Sequence, residues 1–448
     1  MEKNNIYPKL VQGVYTDKVK DDLYLYYNRM GYGGIVVVDQ ELQNIINDFK
    51  NGLSFDECVL KHNLNKQEAQ KMINLLIEKE ILYLDEHKKS KKMWPKKFDY
   101  WFHITNECTL DCSYCYIHKC GGKMDFSTAK IAIDKAIQTC RENKYEEFVV
   151  RFAGGEPLMA FEMLKNIISY IHSIKGNIKT KFVVLTNGTI VNEEIINYLI
   201  KEDIGIAISL DGIEQFNDKN RYFPNGKGSY FCVMNNIQTL ILSGIKPSIL
   251  LTLNQDNLEG LPQFTRKMIE MGLTFRFSLE RNIDTGSPDI LKDENKLINT
   301  VLRCINIMNE EIEKGNVNFK FRLGDVYFNK PVKRSCGAVS CSCAIGHDGK
   351  IGTCGMGLSK PFMNIFETED ILTALHKKQE EFLNYTVYDV EECNKCTWRS
   401  SCANACPLQT KATFGTYKHV SPYCNFYKKV IPEVVKMYAL HIYKSNNY

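Results

Sequence analysis

Between residues 98 and 325, short apolar runs alternate with segments whose apolar positions recur every three or four residues. The runs at 98–104, 148–152, 181–186, 205–210, 246–253 and 274–279 predict strands. The periodic segments at 127–142, 161–172, 192–202, 231–243 and 261–271 predict helices, and 293–314 reads as a closing helix. Strand–helix alternation of this kind makes a parallel sheet covered by helices, here an α/β fold read as a partial (β/α)6 TIM-like barrel. Chemistry in such sheets collects at the C-terminal strand ends. The loops that leave these strands hold Cys108 to Tyr116, Ala153 to Pro157, Thr186-Asn187-Gly188, Ser209 to Gly212, and Thr252 with Asn254.

The flanks have other patterns. Residues 1–85 predict strands at 10–15, 23–27 and 34–38, then helices at 41–49, 54–62 and 66–80, a winged-helix-like order. Ser54 and Glu57 fit a capping box. The last of these helices mixes Lys66, Lys71 and Lys79 with Glu68, Glu78 and Glu80, so it offers no basic face for DNA. An exposed strand edge in such a unit suits an extended peptide instead. Residues 86–97 read as a charged linker. Residues 326–448 turn to Cys, Gly and short turns, with Asp348-Gly349 as a hairpin signal. Apolar periodicity there is weak, which implies a fold that relies on metal.

Composition narrows the classes. In 448 residues, 57 basic and 53 acidic side chains leave a net charge of +4, too little for a strong nucleic-acid field. No apolar run reaches the roughly 18 to 20 residues of a membrane span, and no secretion-type h-region opens the chain. A cytoplasmic protein without nucleic-acid or membrane partners is expected. In that reducing setting 17 cysteines point to metal rather than to disulfides.

Twelve of those cysteines are clustered. Cys108, Cys112 and Cys115 lie on the loop after the first strand, spaced to turn toward one centre and leave one coordination position free. Cys336, Cys341, Cys343, Cys354, Cys393, Cys396, Cys402, Cys406 and Cys424 follow in the last domain, with only His347 and His419 among them. All-thiolate ligation in that number suits iron–sulfur clusters, and four-cysteine zinc sites also fit the spacing. Cys58, Cys120, Cys140, Cys232 and Cys304 stand alone and read as small buried hydrophobes.

The order Cys108-x3-Cys112-x2-Cys115, with Tyr114 before the third thiol, resembles the signature of the radical S-adenosylmethionine enzymes. Gly154-Gly155-Glu156-Pro157 is similar to that family's loop for the cofactor's amino group. The cysteine series from Cys336 to Cys424 resembles a SPASM domain with two auxiliary clusters, and residues 1–85 resemble a leader-peptide recognition (PqqD-like) domain. The resemblance implies S-adenosylmethionine and three 4Fe–4S clusters. One cluster would sit on Cys108, Cys112 and Cys115. Cys336, Cys354 and Cys406 would serve the first auxiliary cluster, with Cys341, Cys343 or a substrate thiolate completing it. Cys393, Cys396, Cys402 and Cys424 would serve the second. Glu156 would accept from the cofactor ammonium, Gly154 and Gly155 would admit backbone close to it, and Ser209 and Arg221 would meet its carboxylate or ribose, with Asn187 and Thr252 as further candidates.

The function expected is maturation of a ribosomally made precursor peptide held by its leader, with a flavodoxin- or ferredoxin-type electron donor. Cysteine thioether (sactionine-like) formation is the first expectation. Carbon–carbon crosslinking or another peptide oxidation, anaerobic sulfatase maturation, and a zinc-stabilised interaction module stand as alternatives.

Overall fold

The computed structural model describes residues 6–84, 96–117, 119 and 121–446. Most of the linker expected at 86–97, and Cys120, lie outside the described residues. Near the start, β1 (Lys9–Leu10) pairs antiparallel with β5 (Leu82–Tyr83). Between them β2 (Val14–Lys20), β3 (Leu23–Asn28) and β4 (Ile35–Val38) form an antiparallel meander. Helices α1 (Gln40–Lys50), α2 (Phe55–Lys61) and α3 (Lys66–Glu78) follow. Asp39, Ser54 and Asn65 cap them by accepting from first-turn N–H groups, and Ser54 and Glu57 close the expected reciprocal box. Tyr26 packs over Ile45, Ile46 and Phe49 in a small core. The other face of β3 behaves differently: Leu25 and Tyr27 join the main core of the molecule.

The central sheet carries β6 (Lys97–Thr105), β7 (Glu147–Gly154), β8 (Lys179–Thr186), β9 (Gly205–Ser209), β10 (Ser248–Leu253), β11 (Thr274–Leu279) and β12 (Lys320–Leu323), parallel and adjacent in that order. Six of these strands follow the sequence pattern. The four-residue β12, with exposed and buried positions alternating as Lys-Phe-Arg-Leu, adds a seventh. The helices between them are α4 (Phe126–Glu142), α5 (Phe161–Ile174), α6 (Glu193–Lys201), α7 (Glu214–Asn220), α8 (Tyr230–Leu242), α9 (Leu261–Glu270) and α10 (Glu294–Glu313). Phe98, Tyr100, Phe102 and Ile104 of β6 are fully buried. On the alternate face of the same strand, Asp99 accepts from Nε and Nη2 of the neighbouring Arg151, at 2.8 to 3.0 Å.

The C-terminal region extends this sheet. β13 (Ser342–Ile345) lies parallel to β6, and β14 (Lys350–Gly352) and β15 (Met363–Asn364) continue antiparallel. Gly349, at φ +77°, makes the turn that Asp348-Gly349 signalled. The expectation of weak apolar content needs correction at the end of the chain. A helix over Cys424–Asn446 buries Val430, Ile431, Val434 and Val435, packs along α10 and reaches β2 and β4. Pro432 lies inside it and reads in sequence as a helix breaker. Among the described residues no helix is long and apolar enough to cross a membrane.

Candidate active site

Three strand ends hold the loop of Cys108. Asn187, just past β8, donates its side-chain amide to Cys108 Sγ at 3.5 Å and to Thr109 Oγ1 at 2.9 Å. From the α7 end, the carbonyls of Tyr222 and Asn220 accept from Asp111 N (2.7 Å) and Ser113 N (3.0 Å). Burial pushes the Cys108 and Cys112 thiols up, and the sulfurs of Cys115 and Cys108 push Cys112 in the same direction. The three sulfurs therefore share one neighbourhood at the barrel mouth.

The firmest tie is ionic. Asp211, at the end of β9, is fully buried. Its Oδ2 accepts from Arg221 Nε at 2.7 Å and from the Tyr114 hydroxyl, and its Oδ1 accepts from the Thr252 N–H at 3.1 Å. Arg221 also donates to the Tyr114 oxygen and lies 3.9 Å from Cys112 Sγ. A carboxylate of β9 thus binds the cysteine loop to β10 through one guanidinium. Tyr114, Arg221 and Thr252 were expected here, whereas Asp211 reads in sequence only as a turn residue. Its signal, an Asp at a strand end six positions from Asn217 and ten from Arg221, needs the fold to become visible.

The Gly154–Pro157 loop works against protein as well as toward the open mouth. Gly154 sits at φ +129°, and a Cβ there would lie 2.2 Å from the Thr105 carbonyl oxygen. A Cβ on Gly155 would lie 2.1 Å from Glu107 O. Both glycines let this loop hydrogen-bond directly to the start of the cysteine loop, Gly155 N to Thr105 O at 2.8 Å and Glu156 N to Glu107 O at 2.7 Å. Glu156 is fully buried. Its Oε1 accepts from Leu158 N (3.0 Å) and Thr186 Oγ1 (2.8 Å), and its Oε2 from Asn187 N (2.8 Å). Burial pushes its carboxyl up to about 7 against these donors. In this geometry Glu156 latches β7 to β8, where the sequence suggested an acceptor for ammonium. Pro157 opens a single 3₁₀ turn behind it. Ser209 ends β9, half-buried, and Thr252 lies near the end of β10.

Seven of the nine C-terminal thiols separate into two groups. Cys393, Cys396, Cys402 and Cys424 line one small cavity, with Arg399, Asn404 and Lys428 in its wall. Burial pushes Cys393 up to about 12, and the neighbouring Cys424 and Cys396 add to this. In the other group, burial and then the sulfurs of Cys354 and Cys406 push Cys336 up to about 12. The division turns on residues 403–405. Ala403, Asn404 and Ala405 adopt φ of +44°, +66° and +52°, a run of three left-handed residues that sends Cys402 to one group and Cys406 to the other. Such backbone costs on the order of 1 kcal/mol or more per residue. Asn404 holds it, accepting from Ser421 N and donating to His419 O, each at 2.7 Å.

Cys341 and Cys343 are not equivalent. Cys343 lies on β13 opposite Tyr100, fully buried in the apolar core. Cys341 precedes that strand in a turn beside Cys336, and a Cβ on Gly337 would lie 2.9 Å from its Sγ. Two residues apart in sequence, the two thiols would face one side of a common strand, but the strand begins at Ser342, after Cys341. Donor spacing bears on the metal too. Tetrahedral zinc with Zn–S near 2.3 Å brings its sulfurs to about 3.8 Å from one another. Among the described residues the only trio of potential ligands within 4.8 Å of one another is Asp48, Cys58 and His62. Neither thiol group brings three of its sulfurs within 4.8 Å of one another.

Comparison with known proteins agrees with this geometry. The family model of the radical SAM superfamily matches residues 102–275. An uncharacterized protein of Methanocaldococcus jannaschii is 32% identical over 240 residues, covering 50% of this chain and 82% of that one. The cysteine-type anaerobic sulfatase-maturating enzyme of Clostridium novyi is 22% identical, covering 72% and 91%. The radical SAM cyclopropyl synthase TigE of Paramaledivibacter caminithermalis is 20% identical, covering 94% of each. Among solved structures, native anSMEcpe with bound AdoMet and Cp18Cys peptide superposes with TM-score 0.64 at 19% identity, over 79% of this chain and all of that one. Streptococcus suis SuiB bound to precursor peptide SuiA superposes with TM-score 0.52 at 14% identity, over 92% and 98%.

Proposed function

Since the chain belongs to the radical S-adenosylmethionine superfamily, we propose that it matures a ribosomally made precursor peptide. Cysteine thioether formation is the bond we put first. The observation that carries this reading is the split of the C-terminal thiols into two groups, one of which includes Cys354, whose neighbour Gly355 borders Tyr116 of the first cysteine loop. A radical reaction that makes a new bond releases one electron, and such groups offer it a destination.

When bound, a four-iron, four-sulfur cluster on Cys108, Cys112 and Cys115 supplies the electron that cleaves S-adenosylmethionine to methionine and a 5'-deoxyadenosyl radical. The protein's part is positioning. Asn187 at the end of β8 and Arg221 at the end of α7 hold the Cys108 and Cys112 arms. Ser209 and Thr252 present hydroxyls at the mouth to the cofactor's ribose or carboxylate, and the Gly154-Gly155 backbone offers carbonyls to its ammonium. Cys336, Cys341, Cys354 and Cys406 would hold one auxiliary cluster, and Cys393, Cys396, Cys402 and Cys424 the other. In thioether formation the substrate C–H hydrogen leaves in 5'-deoxyadenosine and the substrate thiol gives up its proton. The carbon–sulfur bond would then form with loss of one electron, which an auxiliary cluster held by the Cys336 group would accept. A flavodoxin- or ferredoxin-type protein would deliver the starting electron. The leader would bind as an added strand on the β2–β4 sheet.

Likeness to sulfatase-maturing enzymes favours a second reading, oxidation of a cysteine or serine in a folded enzyme's precursor. Coexpression decides between them. A short peptide encoded beside this gene should lose a pair of hydrogens per crosslink in mass spectra, and a Cys108→Ala, Cys112→Ala, Cys115→Ala variant should leave it unchanged. An unmodified peptide alongside a modified sulfatase would reverse the order.

A further inference from the structure

The N-terminal domain does more than pack beside the barrel. Four of its residues close on the segment 397–401, which joins Cys396 to Cys402 in the second thiol group. The Tyr15 ring lies 4.8 Å from that of Trp398. Arg29 donates through Nη1 to the Thr397 carbonyl. Ser400 Oγ donates to Met30 Sδ at 2.9 Å, and the hydroxyls of Tyr27 and Ser401 share a hydrogen bond of 3.0 Å. Trp398, Ser400 and Ser401 are buried there. None of these contacts has a part in the assignments above.

One of them leads to a ligand sulfur. The backbone N–H of Trp398 donates to Cys396 Sγ at 3.4 Å. That N–H and the Thr397 carbonyl belong to a single peptide unit. The unit is planar, so whatever fixes the carbonyl also fixes the direction of the N–H. Arg29 fixes it. Its Nε and Nη2 are committed to the Gly13 carbonyl, at 3.1 and 2.8 Å, which leaves Nη1 of the rigid fork for Thr397. Tyr15, two residues after Gly13 on β2, steadies the Trp398 side of the same peptide.

A second thiol shows what is particular here. Cys336 Sγ also accepts from a backbone N–H two residues on, that of Ala338, at 3.3 Å. The carbonyl of that peptide unit, Gly337 O, is held within its own turn by Ser340 N (3.2 Å) and Cys341 N (2.9 Å). At Cys396 the same task falls to a guanidinium 368 residues away in sequence, in another domain. Hydrogen bonds to the ligating sulfurs help set the reduction potential of an iron–sulfur cluster.

We propose that Arg29 is a positioning residue for the second auxiliary cluster. Through the Thr397–Trp398 peptide it aims a hydrogen bond at Cys396 Sγ, and so holds that cluster at a higher potential. The N-terminal domain is then part of the redox machinery as well as a peptide holder. The proposal rests on Cys393, Cys396, Cys402 and Cys424 as cluster ligands and extends that reading.

The experiment uses the full chain, reconstituted anaerobically in a Cys108→Ala, Cys112→Ala, Cys115→Ala background so that only the C-terminal clusters load. Iron of about eight per chain is expected for two four-iron clusters. Iron of about four or less would overturn the cluster reading, and the proposal with it. Redox titration followed by electron paramagnetic resonance then gives one midpoint potential per cluster. Arg29→Met should lower one of them by a tenfold change in the reduction equilibrium, about 59 mV for one electron, and leave the other in place. Arg29→Lys keeps a cationic donor for Thr397 and should restore most of that shift. Lys20→Met cuts another contact of the same domain, the Lys20–Glu313 pair at 2.9 Å, and should move neither potential. If Arg29→Met lowers the melting temperature while both potentials stay in place, the contact is packing alone and the proposal fails. An equal shift in Lys20→Met would refute it too. Should Arg29→Met lose iron, Tyr15→Leu decides instead, with the same potential expected to fall by about threefold in the equilibrium. Unmoved potentials in that variant would overturn the proposal.

Discussion

Arg221 gives the most demanding test of how the cysteine loop is held. Arg221→Met keeps the length of the side chain and removes the guanidinium that joins Asp211, Tyr114 and Cys112. Its side chain is 11% exposed and that of Asp211 is fully buried, so solvent does not replace the lost partner. Breaking a buried ion pair by deleting one member costs about 3–5 kcal/mol, because the remaining charge is stranded. Asp211 keeps hydrogen bonds from Tyr114 and Thr252, which argues for the lower end. For a cooperative unit of 150–250 residues each kcal/mol moves the melting temperature by about 2–4 °C, so a loss near 3 kcal/mol lowers it by about 6–12 °C. Asp211→Asn removes the stranded charge. The double variant should recover about 2 kcal/mol of the summed single losses. Arg221→Lys should not rescue, since one ammonium cannot serve three partners in a fixed fork. Scanning calorimetry of anaerobic protein gives the four corners of this cycle. A melting temperature within 2 °C of wild type for Arg221→Met, or strict additivity in the double variant, would refute the reasoning.

Three further outcomes follow from the same geometry. Cys341→Ala should lower iron from about twelve per chain, the count for three four-iron clusters, while Cys343→Ala should leave iron unchanged and cost stability alone, by about 1–2 kcal/mol for a small buried side chain. Equal iron loss in both would cancel the distinction between turn and core. Asp125→Ala removes the side-chain cap of α4, which accepts from Thr128 N at 2.8 Å, and should cost about 1 kcal/mol in thermal unfolding. Deleting residues 1–85 should give aggregated protein rather than a trimmed radical enzyme. Leu25 and Tyr27 belong to the main core, and burying each contributes roughly 1.5–3 kcal/mol. A monodisperse truncation by size exclusion would contradict this.

Local periodicity carried most of the barrel. The runs at 148–152, 181–186 and 274–279 lie within or coincide with β7, β8 and β11; β7 shows as a nearly continuous buried run, whereas β8 and β11 alternate buried and less buried positions with period two. The N-terminal helices were as plain, with caps at Asp39, Ser54 and Asn65 marking their starts. What escaped were elements whose local signals conflict with their packing. The Cys424–Asn446 helix contains Pro432 and a mixed surface, and only its seat along α10 and the meander makes sense of its buried face. β12 is too short for any alternation to stand out.

At the site, residue types were legible and partners were not. The glycines of 154–155 and the carboxylate of Glu156 suggested contact with a ligand. Their nearest partners are the backbone of residues 105–107 and the strand end at Thr186-Asn187. The physical reason is general. A motif at a strand end must first join neighbouring loops into one rigid mouth, since a site held loosely by even an ångström loses most of its positioning effect. Asp211 does this for the cysteine loop, Glu156 for β7 and β8, and Asn404 for the two thiol groups. Asp211 and Asn404 read in sequence as ordinary turn residues and Glu156 as a ligand contact, so none of the three announces the protein groups it binds. The cysteines announce the chemistry because metal ligation fixes residue type. The groups that aim them can be any donor or acceptor at the right place, and only the fold reveals which.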